Sequence, residues 1–232
     1  MELIKTTNLS KKFGRNIALD GVEISLEAGK IYGVLGPNGS GKSTLMRLIS
    51  GLYSKSNGHI EAFSNPLSVE SKKHIAYMPT ESFFYDYMNI GSTAMYFSDF
   101  FEDFDNDRFD LLLKEMGLEK SMKIPSLSSG MNAKLRVALT MSRKATVYLI
   151  DEPLNGVDLV ARDLILKTVI NSLSQDNLIV LSSHQIDIIE NVLDEVIFLK
   201  EGTIVLNKEA EDARASSGKS IVQLYKEVFK DA

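Results

Sequence analysis

Apolar and polar residues alternate along the start of the chain, and the period lengthens further on. Residues 3–7 and 22–26 predict strands; in the second, Val22, Ile24 and Leu26 share one face. Glu27-Ala28-Gly29-Lys30 is a turn signal, and Ile31–Leu35 predicts a short apolar strand. Glycine-rich GPNGSGKST follows at residues 36–44, and then apolar residues at 45, 48, 49 and 52 take helical spacing. Residues 58–63 predict a strand, and Ile75–Met78 a brief one stopped by Pro79. Helical patterns cover residues 111–116 and 132–143, the latter after a loop at 123–129. A buried strand over 147–150, a helix over 161–173, a strand over 178–182 and a helix over 185–193 come next. Two short strands, 196–199 and 203–206, flank Glu201-Gly202 as a hairpin, and residues 221–229 predict an amphipathic helix.

Strands alternating with helices predict an α/β layered fold with a mostly parallel sheet. The opening strands have no helix between them and predict an antiparallel β flap. Residues 83–109 interrupt the alternation with aromatic rings interleaved with Asp and Glu. They begin an expected α-helical subdomain, residues 83–143, inserted within a single domain over 1–232.

Composition narrows the class. Of 232 residues, 44% are hydrophobic and 25% charged, which argues against disorder and fibrous repeats. Twenty-six basic residues against 31 acidic ones give a net charge of -5, so no nucleic-acid partner is expected. The absence of cysteine excludes disulfide scaffolds, thiol catalysis and cysteine-ligated metals. His59, His74 and His184 lack metal-ligand spacing. The N-terminus is charged and lacks the apolar core of a signal peptide, and no run of 18 apolar residues is present. A cytoplasmic location is expected, with any membrane-spanning part on another chain.

Gly36-x-x-x-x-Gly41-Lys42-Ser43, set between a predicted strand and a predicted helix, matches the phosphate-binding P-loop. Gly36, Gly39 and Gly41 would allow a tight, positive-φ backbone whose N–H groups, with those of Asn38, Ser40 and Thr44, aim at phosphate oxygens. The helix starting near Lys42 adds its positive end. Lys42 would bridge the β- and γ-phosphates, and the Ser43 hydroxyl would bind Mg²⁺. The plainer alternative is a glycine-rich turn before a helix. The apolar strand at 147–150 ends in Asp151 and Glu152. An acid at such a strand end can hold Mg²⁺, and its neighbour can polarise an attacking water. Asp151 suits the first role and Glu152 the second, although any buried strand can end in surface acids.

These motifs, with LSSGM at 127–131, NGVD at 155–158 and His184 after a strand, resemble the ATP-binding cassette ATPases in order and spacing. The likeness spans nearly the whole chain and points to the ATP-binding subunit of a transporter, similar to bacterial drug and peptide exporters. It implies a P-loop NTPase core, ATP and Mg²⁺ as cofactors, and ATP hydrolysis within a nucleotide-sandwich homodimer or heterodimer. It implies transmembrane permease subunits as partners and a peripheral place on the inner face of the membrane. Phe13 matches the ring that stacks on adenine, with a core phenylalanine as its plain alternative. Ser128 and Gly130 match positions that contact the partner's γ-phosphate, though a serine helix cap is the commoner reading of such a string. Asp158 matches a residue linking the two sites, or else caps a helix. His184 matches the histidine that contacts the γ-phosphate and positions the attacking water, with a structural histidine after a strand as the plain alternative.

Two departures stand out. Thr80 takes the slot of the family's metal-contacting glutamine, where it would reach the metal through water or leave Glu81 to substitute, and Ser129 and Met131 replace the signature's glycine and glutamine. They leave open a slow-hydrolysing regulatory partner and a heterodimer with a more conventional subunit; a soluble cassette ATPase is the separate alternative to a transporter subunit. In the family, the aromatic segment receives a helix of the membrane subunit, so Phe83, Phe84, Tyr85 and Tyr87 are expected to line a docking groove.

Overall fold

A computed structural model describes residues 1–230, leaving the last two residues of the expected 1–232 domain outside. The chain opens with two long strands, β1 (Glu2–Phe13) and β2 (Asn16–Glu27), followed by β3 (Ile31–Leu35) and α1 (Lys42–Ile49). β4 (Asn57–Ala62), the two-residue β5 (Asn65–Pro66), α2 (Val69–Lys73) and β6 (Ile75–Met78) come next. Helices α3 (Ile90–Phe100), α4 (Asn106–Met116) and α5 (Ser129–Met141) lie between β6 and β7 (Val147–Asp151). The chain ends with α6 (Leu159–Ile170), β8 (Leu178–Ser183), α7 (Ile186–Ile189), β9 (Glu195–Lys200), β10 (Thr203–Glu209), α8 (Ala210–Ser217) and α9 (Ile221–Val228).

The strands form two sheets. An antiparallel sheet runs β2-β1-β4-β5, and a second runs β10-β9-β3-β8-β7-β6 with only the β9–β10 pair antiparallel. The alternation in the sequence explains the packing. In the central strands every residue is buried, because both faces are covered. Tyr32, Val34, Val147, Leu149, Leu178 and Val180 join the core shared with α1 and the antiparallel sheet. Their neighbours Ile31, Leu35, Tyr148, Ile150, Ile179 and Leu181 join the core on the other face, with α5 and α6. A strand with period-2 side chains thus feeds two cores at once.

Strand order positions the chemistry. β3, β8 and β7 are adjacent and parallel, with Leu35 opposite Ser183 and Asp151 opposite Ser182. Their carboxyl ends therefore bring residues 36–44, His184 and the Asp151-Glu152 pair to one edge, where open α/β sheets hold their ligands.

The differences from expectation lie mostly at element ends. β1 and β2 run well beyond residues 3–7 and 22–26, through polar residues held by backbone pairing such as Lys12 with Ile17. The helix expected over 185–193 is the single turn Ile186–Ile189, and the one expected over 132–143 starts at Ser129. Two short helices, α2 and α8, were not expected. Residues 83–89 contain no helix; the first helix after β6 is α3.

Candidate nucleotide site

The loop after β3 closes back on itself. Gly36 does not adopt positive φ; it is needed for close approach, since a Cβ there would stand 2.3 Å from the Leu199 carbonyl oxygen. Gly41 has φ 109°, and a Cβ would meet the Ala18 carbonyl at 2.6 Å. Only glycine fits either position. Gly41 caps α1 without a side-chain hydrogen bond, which leaves the amides of the first turn available to a ligand.

Lys42 is buried. Its ammonium donates to the Gly36 and Pro37 carbonyls at 2.8 and 3.1 Å and lies 3.8 Å from a Glu152 oxygen. Burial pushes its pKa below the usual lysine value, against the pull of Glu152 and Asp151. The other Glu152 oxygen is 2.8 Å from His184 Nδ1. Lysine, glutamate and histidine thus form one line at the strand ends. Glu152 has φ 49°, a left-handed conformation that costs a non-glycine residue about 1 kcal/mol or more. That twist at the end of β7 separates the directions of the two acids. Asp151 is fully buried behind the surface, whereas Glu152 faces the cleft.

The cleft has a volume of about 810 Å³. Phe13, Asn38, Gly39, Gly41, Lys42, Ser43, Thr44, Thr80, Glu152 and His184 of the expected residues line it. Gly36 and Ser40 are buried within the loop and do not line the cleft, and the Ser40 hydroxyl has no hydrogen-bond partner among the described residues. Phe13 is not a core ring. It is 45% exposed, meets Tyr53 edge-on at 5.5 Å and has the Lys11 ammonium 4.8 Å from its ring.

Thr80 and Glu81 both reach the cleft. Arg47 of α1 donates to Glu81 at 3.1 Å, and buried Arg136 of α5 donates to the Pro79 and Thr80 carbonyls. Arg47 also donates to Tyr53 and Tyr77, whose hydroxyl stands 3.4 Å from Asp151. Burial, reinforced by Asp151, raises the Tyr77 pKa to about 12. Among the described residues no cluster of three His, Cys, Asp or Glu side chains could cage a metal.

Ser128, Gly130 and Asp158 are not in this cleft. They meet one another elsewhere. Ser128 caps α5 by accepting from the Met131 N–H at 3.2 Å, and Asp158 caps α6 by accepting from Ala161 at 3.0 Å. A Cβ on Gly130 would stand 3.4 Å from an Asp158 oxygen, and the Ser129 hydroxyl donates to the Gly156 carbonyl at 2.8 Å.

Sequence reasoning missed Asn16, Ile17, Ala18, Asn155 and Glu201 in the cleft. Asn155 sits inside the NGVD motif and was findable there; the others arrive through contacts across the fold. A second groove, about 480 Å³ and mainly apolar, is lined by Leu52, Tyr77, Pro79, Phe83, Tyr96, Phe97 and Phe101 among others. Of the four rings expected there, only Phe83 lines it. Phe84 packs against the core, and Tyr85 and Tyr87 stack on each other at 5.4 Å outside it.

Residues 19–155 match the family model described as ABC transporter. The lantibiotic transport ATP-binding protein SrtF of Streptococcus pyogenes is 30% identical over 215 residues, covering 89% of this chain and 91% of that protein. The bacitracin transport ATP-binding protein BcrA of Bacillus licheniformis is 29% identical over 210 residues, covering 88% and 68%. A solved structure described as an ATP-binding subunit of an ABC transporter superposes with a TM-score of 0.88 at 23% identity, over 98% of this chain and 99% of that one.

Proposed function

We propose, from the premise that this chain belongs to the ABC transporter family as an ATP-binding ATPase subunit, that it drives a separate transmembrane permease that exports its cargo. The two relatives named for lantibiotic and bacitracin transport support an antimicrobial peptide as the cargo class. No helix among the described residues is long and apolar enough to cross a membrane. A permease made of other chains would then hold this subunit at the inner face of the membrane.

The single observation that carries the hydrolytic reading is the line from Lys42 through Glu152 to His184, opening on a cleft of nucleotide size. Phe13 would stack on the adenine through its exposed ring. The glycine-loop amides and the first turn of α1 would take the phosphates, with Lys42 leaving its own loop's carbonyls for phosphate oxygens. The donors near that point are hard oxygens: the Ser43 hydroxyl, the Asp151 carboxylate and the oxygens of Thr80 and Glu81. They suit Mg²⁺ carried with the nucleotide and its waters, not a cation caged by protein alone. Bound there, Mg²⁺ would offset charge on the phosphate oxygens. Glu152 would accept the proton of the attacking water, and His184 would hold that carboxylate and contact the γ-phosphate.

Ser128, Gly130 and Asp158 gather away from the chain's own cleft, which supports their serving the nucleotide of a second ATPase subunit across a sandwich. The second subunit is a copy of this chain or a relative. Steady-state phosphate release and nucleotide binding by Glu152→Gln test the assignment. The general-base role predicts turnover lower by about 10²–10⁴-fold with ATP still bound. Full turnover in that variant contradicts it.

A further inference from the structure

The geometry points to Ser182 as a positioning residue that sets both carboxylates of the site through one hydroxyl. Ser182 sits on β8 directly opposite Asp151 of β7, and both side chains are fully buried. Its Oγ donates to Asp151 Oδ1 at 2.5 Å and accepts from the Glu152 backbone N–H at 3.0 Å. A hydroxyl has one proton and two lone pairs, so it can do both at once. Neither alanine nor an aliphatic residue could replace it.

The two bonds have different consequences. The first fixes the rotation of the Asp151 carboxylate, whose other oxygen faces the Tyr77 hydroxyl at 3.4 Å. The second holds the amide of a glutamate whose backbone is left-handed, φ 49°. Without that amide bond, the Glu152 backbone is released to relax toward ordinary strand geometry. Strand geometry would carry the carboxylate away from Lys42 and His184, because successive residues of a strand point to opposite faces. Ser182 is fully buried and does not line the cleft, so its effect on the site runs through the two acidic residues it bonds. The neighbouring serine does something else. Ser183 Oγ accepts from the Gln185 N–H at 2.9 Å and shapes the turn beyond His184.

This inference rests on the roles proposed above for Asp151 and Glu152. The test measures kcat, KM for ATP, the Mg²⁺ concentration at half activity and thermal unfolding in Ser182→Ala, beside Glu152→Gln. Ser182→Cys keeps a side chain of the same shape, slightly larger and with a much weaker donor, and carries the same expectation should alanine not fold. A positioning role predicts kcat lower by about 10–100-fold at saturating ATP, as when outer partners of metal ligands are removed. KM should stay near the wild-type value, and the half-activating Mg²⁺ should rise. A purely structural hydroxyl would instead lower the unfolding temperature and leave kcat per folded molecule and the Mg²⁺ dependence as they were; that result overturns the inference. Wild-type turnover in Ser182→Ala with a dead Glu152→Gln also overturns it and leaves the site assignment standing. Full turnover in Glu152→Gln removes the assignment itself.

Discussion

Asp158 shows how one residue carries two readings. Its carboxylate caps α6, and the Ala161 N–H holds its pKa below the ordinary aspartate value. A carboxyl depressed in the folded state adds stability above its unfolded pKa, and that share is lost as pH falls through the folded value. Asp158→Ala should therefore melt lower than wild type at pH 7, with the gap closing as pH falls below 3.8. Asp158→Asn keeps an equally good cap and should melt like wild type at pH 7. Thermal scans across that range check both statements. A loss of turnover in Asp158→Asn at unchanged melting temperature would then belong to communication between subunits and not to the cap. The residue scale is also where the sequence is least informative. LSSGM and NGVD name positions, but that Gly130 approaches Asp158, or that Glu152 is left-handed, follows from packing between α5 and α6 and from the end of β7.

At the scale of elements, legibility follows burial. β3, β7 and β8 are apolar throughout because both their faces are covered, and such runs are plain in the sequence. The far ends of β1 and β2 are polar and exposed, held by backbone pairing that leaves no side-chain pattern. Helix α2 is one turn stabilised by a Ser68–Ser71 capping box, too short to show a period. Helix α8 buries only alanines, Ala210 and Ala213, so its apolar stripe is faint. The phosphate loop was legible as a motif, yet the reason for its first glycine was not: Gly36 is fixed by the carbonyl of Leu199, a residue far along the chain. The loop yields a sharp expectation. Gly41→Ala imposes a left-handed backbone on alanine and drives its Cβ toward the Ala18 carbonyl. It should cost more than ~1 kcal/mol of stability and abolish ATP binding. Denaturant unfolding and nucleotide titration measure the two effects, and a variant that binds ATP normally would contradict the account of the loop.

At the scale of the molecule, two surfaces of different character adjoin one short segment. The nucleotide cleft is polar, and the groove beside α3 is aromatic. The segment Pro79-Thr80-Glu81 runs between them. Pro79 lines the groove, Thr80 and Glu81 line the cleft, and Arg47 and Arg136 grip the segment from α1 and α5. Leu52 and Phe83 are exposed lining residues of the groove, at 64% and 40%. Should the proposed permease dock in this groove, Leu52→Glu with Phe83→Glu would abolish its recovery with this subunit and leave ATP binding intact, because neither residue lines the cleft.

The most direct measurement is recovery of partners by tagged Glu152→Gln protein, with ATP and Mg²⁺ present, from mildly solubilised membranes of the cells that make it. Glu152→Gln should hold the nucleotide-bound assembly long enough for capture. Recovery of a multi-span membrane protein, together with a second ATPase subunit, is the predicted result, and Leu52→Glu with Phe83→Glu in the same background should lose the membrane protein. Recovery of ribosomal or other soluble proteins alone would contradict the claim that this ATPase powers a permease.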